Sequence, residues 1–435
     1  MQAPNILLLM PDQHRGDWLP FDSTTDDKLG CPNLPVNMPN IKRLMENGAT
    51  FVSAVTPSPL CAPARACLAS GRRYEDCGVV NNGDDYNLKI KTFYSVLKDA
   101  GYNVGGVGKL DLHKKTHWWG LDGWVDDLET LGFTAAIDNA GKIDAIVSAK
   151  NEPKDPYMKL LYDKGLAKTH IQDMEDRLKD HCRVEPTPLP DYAYCDNYVK
   201  DNAIKLLNGF SKNKPWFLAV NFTGPHNPWD VTADMRSKWE NTDFPAPVRC
   251  DESKLKKYNA IRQNYAAMLE NIDKNIGEII SFIDESLDLD NTVIIYTSDH
   301  GEMLGDFNRF GKSLPNKGSI NIPLIINGKG LKNGVFWELV ELQDLAQTFI
   351  DLSGADEKIN NQSKSLLPLL TGGTEGHREY HTSALEGWKM VSDGRYKLIK
   401  DENGYKLFDL ANDPHETTDI SQKNKSMLDE LKKRL

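Results

Sequence analysis

The sequence predicts an α/β protein: a mainly parallel central sheet sandwiched by helices, followed by a small C-terminal antiparallel-sheet subdomain. Three observations predict it. Apolar strand-like runs alternate with helix-period segments through most of the chain, as in strands joined by helical crossovers. At 435 residues the chain exceeds the usual size of one core, so a large domain with a smaller appended one is expected. From about Thr371 the pattern changes to short runs joined by DG and NG turns.

Taken in order, NILLLM at 5–10 is a first buried strand, and PNIKRLMENG at 39–48 has helical spacing closed by Gly48. Pro63 opens a helix just after Cys61. TFYSVLKDAGY at 92–102 is a helix ending near Gly101, and NVGGVG at 103–108 is the next strand. The stretch 122–190 is charged and irregular and reads as insertions around the mouth of a site. Helical spacing over 191–210 leads into the strand PWFLAVNF at 215–222. A long amphipathic helix over 254–285 precedes TVIIYTS at 292–298, and NIPLIING at 321–328 is a further strand. TGGTEGH at 371–377 reads as a linker; after it KMVSDGRYKLI and YKLFDL form the small sheet, and a helix over 426–435 ends the chain. The expected boundary therefore separates residues 1–370 from 371–435.

Hydrophobic content of 40% and charged content of 26% are ordinary for a globular protein. A net charge of -11 argues against nucleic acid and acidic membrane as partners, so an anionic substrate needs locally concentrated positive charge. The seven cysteines (31, 61, 67, 77, 182, 195, 250) include no CxxC pair, and their odd count leaves at least one thiol unpaired. A reducing compartment is mildly favoured, with a disulfide or two in an export compartment left open. No apolar run is long enough to span a bilayer, and MQAPNILLLMPDQ is too short and lacks the basic start of a signal peptide. Cytoplasmic and, if a leader was removed, periplasmic or secreted locations all stay open.

In open α/β sheets ligands bind beyond the carboxyl ends of the strands, so the residues just past each strand are informative. After NILLLM come Pro11, Asp12, Gln13 and His14; after NVGGVG come Lys109, Asp111 and His113. After PWFLAVNF comes the loop to His226, and after TVIIYTS come Asp299, His300 and Glu302, with Lys312 further on. Each has an ordinary alternative as a turn carboxylate, a solvated lysine or a packed histidine. Four strands of four delivering titratable groups to one edge make coincidence a poor explanation.

Asp12, Asp299 and His300 with the Gln13 amide form a mainly oxygen donor set. It suits Ca2+ or Mg2+, with manganese or zinc left open by the histidine. Lys109, directly after a glycine-rich strand, and Lys312 suit an anion. His226, in a loop stiffened by prolines, suits a positioned acid or base. Cys61 faces the positive end of a helix dipole as either a reactive group or a small apolar filler, and spacing does not choose. A metal plus several cations around an activatable side chain is what a metal-assisted phospho- or sulfo-ester hydrolase needs, without choosing between phosphorus and sulfur.

Cys61-Ala62-Pro63-Ala64-Arg65, then Leu68 and Ser70-Gly71-Arg72, resembles the CxPxR signature of the type I, formylglycine-dependent sulfatases of the alkaline phosphatase-like superfamily. The resemblance covers nearly the whole chain through NILLLMPDQ, GVGK, GPHNPWD, TSDHGEMLGD and YKLFDLANDPHET. It implies that a maturation enzyme oxidises Cys61 to formylglycine. The hydrated aldehyde then attacks sulfur, expels the alcohol, and releases sulfate by collapse of the hemiacetal. It further implies Asp12, Gln13, Asp299 and His300, with residue 61, as metal ligands, Gln13 standing where many members have a second aspartate. Arg65 would steady the nucleophile, Lys109 and Lys312 would bind sulfate, and His226 would protonate the leaving oxygen. Asn81 and Asn82 resemble a family position near the metal, without a choice between them.

One departure stands out: members commonly read GKxH, whereas this chain has Asp111 at the histidine position and His113 two residues later. Either His113 takes the role, or the pocket uses Asp111 for a substrate hydroxyl. A carboxylate beside sulfate is repulsive unless paired or protonated, which points to His113. The expected substrate is a sulfated mono- or oligosaccharide, with tryptophans 118, 119, 124, 229 and 388 offering stacking faces. The runner-up is a phosphonate monoester or phosphodiester hydrolase of the same superfamily, which shares the CxPxR core and a DQ start.

Overall fold

The computed structural model describes residues 3–30, 33–373 and 376–435. Its strands, in chain order, are β1 (Asn5–Asp12), β2 (Ala49–Phe51), β3 (Ala54–Val55), β4 (Asn103–Gly108), β5 (Ala135–Asp138), β6 (Trp216–Pro225) and β7 (Thr292–Thr297). They continue with β8 (Leu324–Asn327), β9 (Gly334–Phe336), β10 (Val340–Glu341), β11 (His381–Leu385), β12 (Trp388–Ser392), β13 (Tyr396–Asp401) and β14 (Gly404–Asp409).

Eight strands form one sheet in the order β5-β4-β6-β1-β7-β8-β2-β9. β1 pairs in parallel with both β6 and β7, and β4 pairs in parallel with β5 and β6. β1 and β6 are buried along their whole length, which is why they read as continuous apolar runs. Successive side chains of β1 alternate between two cores. Ile6, Leu8 and Met10 pack with the helices Cys61–Ser70, Phe93–Asp99 and Asp344–Ser353. Leu7 and Leu9 pack with the helices Pro39–Glu46, Cys195–Gly209 and Leu255–Ser286. The predicted helix-covered, mainly parallel sheet is therefore the fold.

Four details differ from the sequence reading. NIPLIING does form β8, but it runs antiparallel to β7 and β2, a direction that apolar content does not encode. The stretch 122–190 is more than insertion: it supplies the edge strand β5 and the helices Asp126–Leu131, Lys142–Ser148, Pro156–Asp163 and Ala167–Lys179. β5 has only 4 residues, too few for periodicity to register. The helix after Ser58 begins at Cys61, with Leu60 as its cap and Pro63 inside its first turn, where a missing N–H costs nothing. The helix Pro39–Glu46 is capped by Asn47, whose amide donates to Arg43 O at 2.9 Å. Gly48 instead allows close approach to β8, since a Cβ there would lie 2.7 Å from Ile326 O.

β11 to β14 form the expected antiparallel meander, with Gly394 and Gly404 at positive φ in its turns. One face packs on the body through Leu385, Trp388, Met390 and Ile399 against Val55 and Ile320. The other packs on the helix Lys425–Lys432 through Val391, Leu398 and Leu407 against Leu431. Of the predicted linker, Thr374 and Glu375 lie outside the described residues, as does Cys31. The six described cysteines are free thiols. Among the described residues no helix is long and apolar enough to cross a membrane.

Candidate active site

The carboxyl ends of β1, β4, β6 and β7 lie side by side in the sheet, and the groups just beyond them meet over residue 61. Cys61 is the first residue of its helix, and Arg65, one turn on, projects from the same face. The ligand atoms of Asp12, Cys61, Asp299 and His300 all lie within 4.8 Å of one another, and all four residues are buried. Cys61 Sγ is 3.3 Å from His300 Nε2, 3.9 Å from Asp12 Oδ1 and 3.1 Å from Lys312 Nζ.

Cations interleave with these acids. Arg65 donates from Nε to Asp299 Oδ2 at 3.0 Å, and through its Nη1 to Lys109 O and to Asn221 Oδ1. One guanidinium thus fixes a carboxylate and the lysine backbone together. Lys109 Nζ bridges Asp12 and Asp111. Its approach depends on Gly108, whose φ of 83° turns the chain at a point where a Cβ would lie 2.0 Å from Asn221 O. Lys312 Nζ reaches Gln13 Oε1 at 2.8 Å and His226 Nε2 at 2.6 Å, while His226 Nδ1 contacts Asn227 O.

This crowding sets the electrostatics. Burial alone would push the Cys61 thiol up, but Lys109, Lys312 and His300 outweigh it and hold it well below the usual thiol range. Burial also works against an ionised Asp12, and Lys109, His226 and Lys312 nevertheless keep its carboxyl well below the usual range. Burial and Lys312 lower His226, whereas burial of His300 is outweighed by Asp299 and Cys61 together, so that its pKa is raised. The centre is a pocket in which ammonium and guanidinium groups alternate with carboxylates around residue 61.

The structure thus brings together Asp12, Gln13, Cys61, Arg65, Lys109, His226, Asp299, His300 and Lys312. It does not bring in His113, whose Nε2 is 2.8 Å from Asp138 Oδ2. Burial and then Asp138 set its pKa, and the net direction is upward. Between the two sequence alternatives, Asp111 is the one against Lys109, because a φ of 55° at Asp111 turns the chain there and carries His113 to the end of β5. Of the two asparagines, Asn82 touches the site, accepting from Ala62 N at 3.0 Å, while the Asn81 side chain caps Gly83 N.

Several contributors were given no role by the sequence. Glu302 holds the Gln13 amide and accepts from Leu304 N and Gly311 N, bracing the loop toward Lys312. Its place in DHGE was the available hint. Lys142, from the poorly patterned stretch, donates to His226 O at 3.0 Å and pairs with Asp230 at 2.7 Å. Asp196 accepts from Thr223 N and Gly224 N beneath the His226 loop. Of the tryptophans expected to stack on sugars, Trp119, Trp229 and Trp388 are buried, Trp388 donating to Ser313 O. Trp118 is exposed.

The donor set fits a hard divalent cation. Two buried carboxylates, an imidazole and residue 61 converge, the Gln13 amide oxygen stands nearby on Lys312, and Arg65 and Glu302 hold Asp299 and Gln13 in place.

Comparison with known proteins agrees. The sulfatase family profile matches residues 4–355, and that of the N-sulphoglucosamine sulphohydrolase C-terminal region matches residues 305–435. An arylsulfatase of Clostridium perfringens is 27% identical over 99% of this chain and 93% of its own length. An N-acetylglucosamine-6-O-sulfatase of Bacteroides thetaiotaomicron is 22% identical over 96% and 83% respectively. The solved phosphonate monoester hydrolase of Agrobacterium radiobacter has the same fold, with a TM-score of 0.79 at 22% identity over 99% of this chain and 94% of that one. With a profile that spans most of the chain and ends on this arrangement of strand-end groups, the protein belongs to the sulfatase family and is a sulfuric ester hydrolase of the alkaline phosphatase-like fold.

Proposed function

We propose that the protein removes sulfate from a sulfated carbohydrate, using a formylglycine made from Cys61 and a divalent cation, Ca2+ by preference over Mg2+ or Mn2+. The single observation that carries this reading is the position of residue 61. Its side chain stands where two carboxylates, an imidazole and two lysines converge. Asp12, Gln13, Asp299 and His300 would hold the cation, which when bound polarises the ester oxygens and favours an ionised nucleophile. The matured side chain at 61 would supply the attacking oxygen, replacing one hard displacement by two easier ones.

The chain's own residues do the rest. Lys109 and Lys312 offset the charge on the sulfate oxygens, and Arg65 locks Asp299 against residue 61. His226 holds its Nδ1 on Asn227 O, so Nε2 is the atom aimed at the leaving oxygen, with Lys312 beside it to resupply the proton. Residues 1–370 carry this machinery, with Lys312 hydrogen-bonded to Cys61, and residues 371–435 form the appended subdomain. The relative named as acting on N-acetylglucosamine 6-sulfate supports a carbohydrate substrate.

One feature favours a phosphonate monoester or phosphodiester hydrolase instead: Gln13 contributes an amide where a second carboxylate would add negative charge. Mass spectrometry of the Cys61 peptide, then release assays on sulfated sugars and phosphodiesters, separates the readings. An aldehyde at 61 with sulfate release is expected. A persistent thiol in protein made in its native host, or a preference for the phosphodiester over the matching sulfate ester, overturns it.

A further inference from the structure

Asp111 occupies the edge of the sulfate pocket in an uncommon state. It is 2% exposed, adopts a left-handed backbone with φ 55°, and is not a glycine. Such conformations persist where the surroundings impose them, and they concentrate at functional sites. Its Oδ2 lies 3.2 Å from Lys109 Nζ and 3.1 Å from Lys114 Nζ, and Lys114 continues to Asp144 at 2.9 Å. Two ammonium groups therefore satisfy its charge. The repulsion of sulfate expected for a bare carboxylate is offset, and burial is outweighed by Lys109 and Lys114, which hold the carboxyl below its usual range.

The other oxygen is different. Asp111 Oδ1 is buried and has no hydrogen-bond partner among the described residues. Asn139, the first residue beyond β5, likewise keeps its Oδ1 buried and unpartnered while its amide nitrogen donates to Ala140 O. An unpaired buried acceptor is costly, so one kept beside a substrate pocket wants a donor. The donor need not be charged, because Lys109 and Lys114 already neutralise the carboxylate.

We infer that Asp111 is a specificity-determining residue that accepts a hydrogen bond, through Oδ1, from a neutral hydroxyl on the carbon next to the sulfate ester. The inference rests on the sulfate-ester reading and narrows it to esters with a vicinal hydroxyl. Lys109 Nζ, the sulfate-facing cation, touches the same carboxylate through Oδ2, which sets Asp111 beside the sulfate oxygens. The neighbours that line this edge are Lys114, Asp144 and the start of the helix Lys142–Ser148, where Gly141 lies so close to Lys109 that a Cβ would stand 2.8 Å from its Cε.

The test compares 2-hydroxyphenyl sulfate, which carries a neutral hydroxyl adjacent to the ester, with phenyl sulfate, which lacks it. Intrinsic reactivity differs between the two but cancels when each variant is compared with wild type. Asp111→Ala is expected to lower kcat/KM for the hydroxylated ester about ten- to a hundredfold more than for the plain one. Asp111→Asn, which keeps an acceptor oxygen and the volume, should lose less of that preference and carries the test if the alanine variant does not fold. Protein left with a Cys61 thiol gives a readout without turnover: titration calorimetry should show the same selective loss of affinity for the hydroxylated ester. Equal losses on both esters, or none, overturn the inference alone. Matured wild type that prefers a phosphodiester to both sulfate esters overturns the sulfate-ester reading along with it.

Discussion

The molecule buries two clusters of charge, and they are built to different ends. One surrounds residue 61. The other joins the C-terminal subdomain to the body, where Glu341 and Asp344 meet His377, Arg378 and Thr382. In the joint every carboxylate oxygen is used. Glu341 Oε1 accepts from Thr382 N and Oγ1, and its Oε2 from Gln343 and Arg378. Asp344 Oδ1 takes Arg378 and Lys364 N, and its Oδ2 takes Glu341 N, Arg378 Nε and His377. Around residue 61, by contrast, lysines double up on shared oxygens, a buried thiol is held well below its usual range, and Asp111 Oδ1 is left over. Buried charge that stabilises a fold closes on itself; buried charge that awaits a ligand does not.

The largest test of that contrast is at Cys61. Cys61→Ala should reduce turnover at least about a thousandfold, because the nucleophile is gone. Its melting temperature should stay within about 2 °C of wild type, since the cluster is not what holds the fold. A large drop in melting temperature would break the distinction. Arg378→Met is the mirror image. It strands two buried carboxylates and should cost about 3–5 kcal/mol in chemical denaturation, with kcat per folded molecule unchanged.

Metal should act on one cluster only. Ca2+ at about a hundredfold over its dissociation constant should stabilise the protein by about 3 kcal/mol, and Asp299→Asn should lose that increment while Arg378→Met keeps it. A thermal shift that survives Asp299→Asn would place the ion elsewhere.

Acid should act on the joint. Burial opposes ionisation of Asp344, but Arg378 and His377 hold its pKa at about 2, below the usual carboxylate range. A depressed carboxylate contributes stability that is present above its unfolded pKa and lost as pH falls through the folded one. The contribution, about 2 kcal/mol, should therefore be intact above about pH 4 and fade between about pH 4 and pH 2. Urea titrations of wild type and Asp344→Asn across that window should converge at the acid end. Curves that stay parallel would assign the stability to other groups.

The fold and most of the site were legible in the sequence for the same reason. Buried parallel strands must be apolar along their length, so NILLLM, NVGGVG, PWFLAVNF and TVIIYTS announce themselves, and a polar group just past each is conspicuous. That placed Asp12, Lys109, His226, Asp299 and His300 at one edge, and the CxPxR pattern set Cys61 and Arg65 a helical turn apart. Strands of two to four residues, such as β3, β5 and β10, left no such trace.

What only the tertiary structure decided lies in chain paths too short or too irregular to carry a period. A left-handed residue at Asp111 chose it over His113 beside Lys109, and β8 took its antiparallel direction from its neighbours. Lys142 and Glu302 acquired their tasks from backbone and side-chain atoms brought near by folding, Lys142 across 84 residues of chain to His226 O. Apolar periodicity is a property of one segment against a surface, so sequence alone determines it. A partner for a buried charge is a property of two segments, and only their packing supplies it.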